Sequence, residues 1–277
     1  MNAPSPAHAI VAESEHMQQN RTRDIISYAN VRIEVIAEGS GPLVVMLPSR
    51  SRDSEDFDAV ASLVAAQQFR VLRPQPRGIG KSSGPMTDIS LHDYARDVAA
   101  VIERQGNGPA IMVGHAFGSW ICRMTAVDYP SLVRGVVIAA AAASGPTPNA
   151  LAVAQAKASD TSLPDAERLK ALEFAFFAPG HDASSWLTGW HKEAGDAQGD
   201  AIRRTNQDEW WPAGTAPLLD LQGERDPWRP PNTTDQIKDE FGRRVTVAVL
   251  GNASHALIPE QPDGFAGRIV SWARALP

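Results

Sequence analysis

Cysteine is almost absent from this chain. Cys122 is the only one among 277 residues, which excludes an internal disulfide and points to a reducing, cytoplasmic setting. No run of lysine or arginine forms a basic stripe, and acidic residues outnumber basic ones 32 to 26, for a net charge of -6. That balance excludes general attraction to nucleic acid or anionic lipid. Nowhere is there an apolar run of membrane length, and the N-terminal stretch "MNAPSPAHAIVAESEHMQQNRTR" lacks the apolar segment of a signal peptide. Metal-ligand clusters are missing too, since the seven histidines are scattered. "GIGKSS" (residues 78–83) resembles a phosphate loop but has Gln75 where a Walker motif needs its first glycine.

What remains is 43% apolar and 21% charged residues, the composition of a globular protein with a large core. Residues 1–22 are polar and without period, an N-terminal arm that permits homodimer contacts but carries no chemistry. From Val31 onward, short apolar runs recur: "VRIEVIAEG", "PLVVML", "FRVLRP", "AIMVG", "RGVVIAAA", "APLLDLQG" and "RVTVAVLG". Segments of helical period separate them, such as "DFDAVASLVAAQQ", "LHDYARDVAAVIERQ" and "PDGFAGRIVSWARAL". The alternation predicts an α/β fold, a mostly parallel sheet covered on both faces, with ligands bound beyond the carboxyl ends of the strands. Residues 144–212 break the pattern. They contain helical pieces ("PNALAVAQAKAS", "PDAERLKALEFAFFA", "DASSWLTGWHKEAG") but no strand, and read as a helical cap inserted into a core of residues 23–143 and 213–277.

The chemistry is concentrated in three places. "IMVGHAFGSW" (residues 111–120) has the strand, glycine-flanked turn and helix start of a nucleophile elbow, with Ala116 where a serine is expected and the N–H of Phe117 placed for an oxyanion. "LLDLQGERDPW" ends a strand and delivers Asp226, with Glu224 as its rival. "VAVLGNASHALIPEQPD" ends the last strand and delivers His255. An orienting acid and a base, in that order after the elbow, are what an activated hydroxyl nucleophile needs.

These three motifs, with the turn "PRGIGKSSGP" (residues 76–85), resemble the α/β-hydrolase fold superfamily over residues 31–277. The resemblance implies a serine hydrolase of carboxylic esters or lactones, with Ala116 at the nucleophile position, Asp226 as acid, His255 as base, and neither metal nor organic cofactor. A His-Gly pair common after the third strand is replaced here by "LPSRSRDSEDF". The second oxyanion N–H then falls to Arg50 by register, or to Ser49 or Ser51 if the loop winds differently. The intact acid and base point to a serine replaced by alanine, leaving an inactive variant. A cofactor-free His-Asp dioxygenase, a C–C bond hydrolase and a non-catalytic small-molecule receptor are the alternatives.

Four of the seven tryptophans, Trp186, Trp190, Trp210 and Trp211, lie in the cap segment, and Trp228 adjoins the acid turn. With Ser49 they are expected to line a cavity over Ala116 for a small hydrophobic substrate. Cys122 reads as buried filler, His115 as a turn filler, His92 as a solvated helix residue, and His181 and His191 as polar cap residues.

Overall fold

The computed structural model describes residues 21–106, 108–142, 145 and 147–277. The N-terminal arm up to residue 20, and residues 143 and 144 at the predicted cap boundary, lie outside the described residues.

An antiparallel hairpin, β1 (Thr22–Tyr28) and β2 (Val31–Gly39), leads into β3 (Leu43–Leu47), helix α1 (Asp58–Ala65), β4 (Arg70–Pro74) and α2 (Leu91–Gln105). Then come β5 (Ala110–His115), α3 (Phe117–Asp128) and β6 (Val133–Ala139). Four helices follow before the next strand: α4 (Asn149–Ser159), α5 (Asp165–Ala175), α6 (Lys192–Arg203) and α7 (Gln207–Trp210). The chain closes with β7 (Leu218–Gly223), α8 (Gln236–Phe241), β8 (Val245–Leu250), α9 (Leu257–Glu260) and α10 (Pro262–Ala275). The eight strands form one sheet in the order β1-β2-β4-β3-β5-β6-β7-β8, parallel from β4 through β8.

The unbroken apolar runs follow from burial on both faces. Side chains alternate across a strand, and here each set enters its own core. Leu43, Val45 and Leu47 join Met112, Val136 and Ile138 on the face covered by α2 and α3. Val44 and Met46 join Ile111, Val113 and Val137 on the face covered by α1 and α10. A third cluster lies in the cap, where Leu151, Leu172, Phe176, Phe177 and Trp186 bury one another against Ala256 beside His255.

Two expectations need correction. Residues 22–28 form an edge strand whose polar composition hid it; its outer residues are exposed and only Ile26 is buried. The segment 182–195 is not one helix. Asp182 caps a single turn over Ala183–Trp186, the chain then extends to pair Trp190 with Arg52, and helix resumes at Lys192. Gly189, at a φ of +78°, supplies the break.

His92 on α2 bonds Asp128 at the end of α3 (2.7 Å) and Glu209 on α7 (3.0 Å). Burial opposes its charge, but the two carboxylates prevail and raise its pKa above the usual histidine value. A raised folded-state pKa means the clasp is at full strength below the unfolded value and is lost as pH rises through the folded one. His92→Gln is therefore expected to lower Tm by about 1–2 °C near pH 5.5, an exposed-pair effect. By pH 9 the difference should vanish in a melting series.

Candidate active site

Between the last residue of β5 and the first of α3 stands Ala116 alone, at φ +45° and ψ -111°. That conformation costs a non-glycine residue about 1–3 kcal/mol. Close packing on both sides enforces it. A Cβ on Gly114 would sit 2.3 Å from the Ser119 nitrogen, and one on Gly118 would sit 2.3 Å from the Leu47 carbonyl oxygen. The Ala116 N–H donates to Ala139 O on β6 (2.8 Å), and its carbonyl accepts from Ser119 N (3.0 Å) and Oγ (2.6 Å).

His255 and Asp226 reach the same rim from the ends of β8 and β7. Asp226 Oδ2 lies 3.0 Å from His255 Nδ1, and its Oδ1 accepts the Trp228 N–H at 2.9 Å. Both are buried. The rival Glu224 turns away to cap Asn252 N at 3.0 Å. With Nδ1 engaged, His255 Nε2 has no partner among the described residues. His255 and Ala116 line one cavity of about 190 Å³, room for roughly one aromatic ring and a few further atoms.

His115, expected only to fill the turn, is fully buried and bonds the His255 carbonyl through Nε2 at 2.8 Å. Burial, with His255 close by, pushes its pKa down to about 3. It is therefore neutral, with its proton on the nitrogen that donates. Further bonds tie the acid turn and the histidine loop to the cap. Ala256 N donates to Phe176 O (2.8 Å), Trp228 Nε1 to Ala175 O (2.7 Å), and Glu260 accepts from both Ser254 N and Ala178 N.

The predicted wall residues divide. Ser49, Arg50, Phe117, Trp186, Trp190 and Trp228 line the cavity. Trp210 and Trp211 do not. Trp210 stacks on Trp120 at 4.6 Å, and Trp211 packs on Phe241 and donates to Glu240. Their spacing along the chain carried no information on side-chain direction, and the Arg123 guanidinium lies 5.6 Å from the Trp210 ring and 4.4 Å from the Trp211 ring. The loop after β3 also separates the candidate donors. Ser51 N–H is spent on Gln198 Oε1 (2.8 Å) and Arg52 N–H on Ser49 O (3.2 Å). Arg50 N–H and Phe117 N–H, the latter at a helix start, have no acceptor among the described residues.

Sequence reasoning missed Trp120 and Arg52 in the cavity wall, which Phe176, one of the aromatics of the cap segment, also lines. Phe176 lies 5.5 Å from the His255 ring, and Arg52 is clamped between Trp186 and Trp190 at 4.9 and 4.7 Å while paired with Asp56. An arginine five residues into a loop and two cap tryptophans give no signal of contact until the chain is folded. Among the described residues no cluster could hold a metal ion, and no helix is long and apolar enough to cross a membrane.

Beneath the acid turn, Arg229 pairs with Asp220 at 2.8 Å, both fully buried. Breaking such a pair from one side leaves a charge without water or partner. Arg229→Met is expected to cost about 3–5 kcal/mol in urea unfolding. The double variant with Asp220→Leu should recover most of it.

Comparison with known proteins agrees with this fold. Residues 42–178 match a family model described as the alpha/beta hydrolase fold. The chain is 32% identical over 124 residues to 2-(acetamidomethylene)succinate hydrolase of Mesorhizobium japonicum, covering 45% of this chain and 43% of that one. It thus spans less than half the length of this curated relative. An esterase from Exiguobacterium antarcticum superposes with a TM-score of 0.77 at 20% identity, covering 92% of this chain and 100% of the other. The solved E-2-(acetamidomethylene)succinate hydrolase gives 0.67 at 23%, again over 92% and 100%. At these identities the structural likeness is one of fold.

Proposed function

Because this chain belongs to the α/β-hydrolase fold superfamily and its relatives include named hydrolases, we propose that its site is built to hydrolyse a carboxylic ester or lactone of a small, largely apolar molecule, with Ala116 standing in for the nucleophilic serine. The observation that carries this reading is a complete base and orienting acid facing a strained elbow that lacks only its hydroxyl.

With serine at 116, Oγ attacks the carbonyl carbon as His255 Nε2 takes its proton, and the N–H groups of Phe117 and Arg50 receive the developing oxyanion. His255 returns the proton to the departing alkoxide as the C–O bond breaks. Water, deprotonated by His255, then attacks the acyl carbon, and as the acyl–Oγ bond breaks the proton passes from His255 to Oγ and the acid leaves. Asp226 holds the imidazole by Nδ1 and stabilises the imidazolium, while the rings of Phe176 and Trp228, each 5.5 Å away and tilted to it, shield it from water.

With alanine at 116 no acyl-enzyme forms, and the chain binds without this turnover. The same dyad supports a second reading. His255, its Nε2 without a partner among the described residues, is placed to take a proton from an acidic aromatic substrate that then reacts with dioxygen. C–C bond hydrolysis of a ring-cleavage product uses the serine form. A receptor needs the cavity alone.

Ala116→Ser is expected to create hydrolysis of short nitrophenyl esters or of a lactone panel. The kcat should be on the order of 10⁶ above the alanine form, and His255→Ala in the serine background should abolish it. Oxygen uptake by the alanine form, dependent on His255, would establish the dyad chemistry instead. Binding without turnover in either form would favour the receptor.

A further inference from the structure

The cavity over Ala116 does not end at its aromatic walls. Arg50, Gln155 and Trp190 line both this cavity and an adjoining open groove between α4 and α6. Arg50 stands at the junction. Its Nε donates to Gly195 O on α6 at 2.8 Å, and Nη1 and Nη2 have no hydrogen-bond partner among the described residues. The side chain is half-buried, so this cation has given up part of its water and has received one acceptor, at Nε, in return.

Its neighbours do not neutralise it. Asp196, the carboxylate that most favours its charge, takes Lys192 Nζ at 2.5 Å. Arg203, which opposes it, is paired with Asp200. Asp160 lies only on the outer groove and is engaged by Ser162.

The helix beneath is shaped to seat this guanidinium. A Cβ on Gly195 would fall 1.8 Å from Ser51 Oγ, and one on Gly199 would fall 2.4 Å from Arg50 Nη2. Two glycines four apart put a flat face on α6, although each costs a helix interior about 1 kcal/mol against alanine. Close approach of the 50–51 loop is what that cost secures.

We infer that the Arg50 side chain is a carboxylate-binding subsite, so that the preferred substrate carries an anionic carboxylate on its acyl part, a few bonds from the reacting carbonyl. With Nε engaged, the remaining edge of the guanidinium is the Nη1/Nη2 pair, whose planar fork matches the two oxygens of a carboxylate. The backbone N–H of the same residue is the candidate oxyanion donor, so one residue spans the distance from carbonyl to carboxylate. A half-ester or half-amide of a short dicarboxylic acid fits this arrangement, its apolar portion against Trp186 and Phe176. The inference rests on the ester reading for the position of the carbonyl only; the carboxylate site is a statement about binding.

The test uses the full chain with alanine at 116, titrated with monobenzyl succinate and with its uncharged methyl ester while following fluorescence of the cavity tryptophans. The acid is expected to bind about tenfold or more tighter than the neutral ester, with the preference weakening as salt rises. Arg50→Met should erase that preference and Arg50→Lys retain part of it. Gly199→Ala, which favours the helix but drives a methyl into Nη2, should reduce the preference with no loss of Tm. Equal affinity for acid and neutral ester, or a preference unmoved by Arg50→Met, overturns the subsite. Hydrolysis of neutral esters by the Ala116→Ser form without preference for the acid also overturns it and leaves the ester reading intact. Arg50-dependent binding of the acid with no hydrolysis by the serine form overturns the ester reading and upholds the subsite. Neither binding nor hydrolysis overturns both.

Discussion

The packing of α3 directly against the loop that leaves β3 is the constraint on which the rest of the site depends. Gly118 lets the helix come so close to the Leu47 and Pro48 carbonyls that a Cβ would lie 2.3 and 2.6 Å from them. With β5 ending at His115 and α3 starting at Phe117, Ala116 has no alternative to its strained turn. The strain is retained although alanine has no hydroxyl to present. It is a property of the backbone around the position, not of the side chain that occupies it.

Around that elbow the molecule uses buried polar groups to fix loops that carry few backbone ladders of their own. Asp226 takes both His255 Nδ1 and the Trp228 N–H. His115 holds the His255 carbonyl, and Glu260 joins the histidine loop to the end of α5 through two backbone N–H groups. Each of these groups is desolvated, and each recovers part of that cost by a hydrogen bond to charge or to main chain. Cap and core are thereby fastened at the edge of the cavity, so the position of the Phe176 and Trp228 rings over the imidazole is tied to the same bonds that orient it. Arg123 recovers less. Its guanidinium is fully buried, with no ion pair and no hydrogen-bond partner for Nε and Nη2 among the described residues, and burial lowers its pKa to about 9. It lies against the faces of Trp210 and Trp211, which supply only part of what water would.

The charge pattern on the cavity wall separates two arginines that are two residues apart. Arg52 is fully engaged, by Asp56 through two nitrogens and by the Thr188 carbonyl, and serves as a rigid spacer between two indoles. Arg50 keeps two nitrogens unengaged. A loop that places one saturated and one unsaturated guanidinium against the same space gives the cavity an apolar wall and a cationic corner.

The sequence by itself determined the parts whose signal is local. Runs of apolar residues marked β3 to β8, buried on both faces in β3 to β7 and only at the two ends of the edge strand β8, helical periodicity over 15 residues marked α2 from Leu91 to Gln105, and glycines flanking a strand end marked the elbow. Chain order then singled out Asp226 and His255, since acid and base must come from strand ends. Tertiary structure decided everything that depends on direction. Trp186 and Trp190 face the cavity while Trp210 and Trp211, in the same segment, turn to Trp120 and Arg123. Ser51 loses its N–H to Gln198 across 147 positions. Strand β1 exists because β2 offers it an edge, not because "TRDIISY" alternates clearly. Periodicity reports which side of an element is buried, but only the packed chain shows what it is buried against.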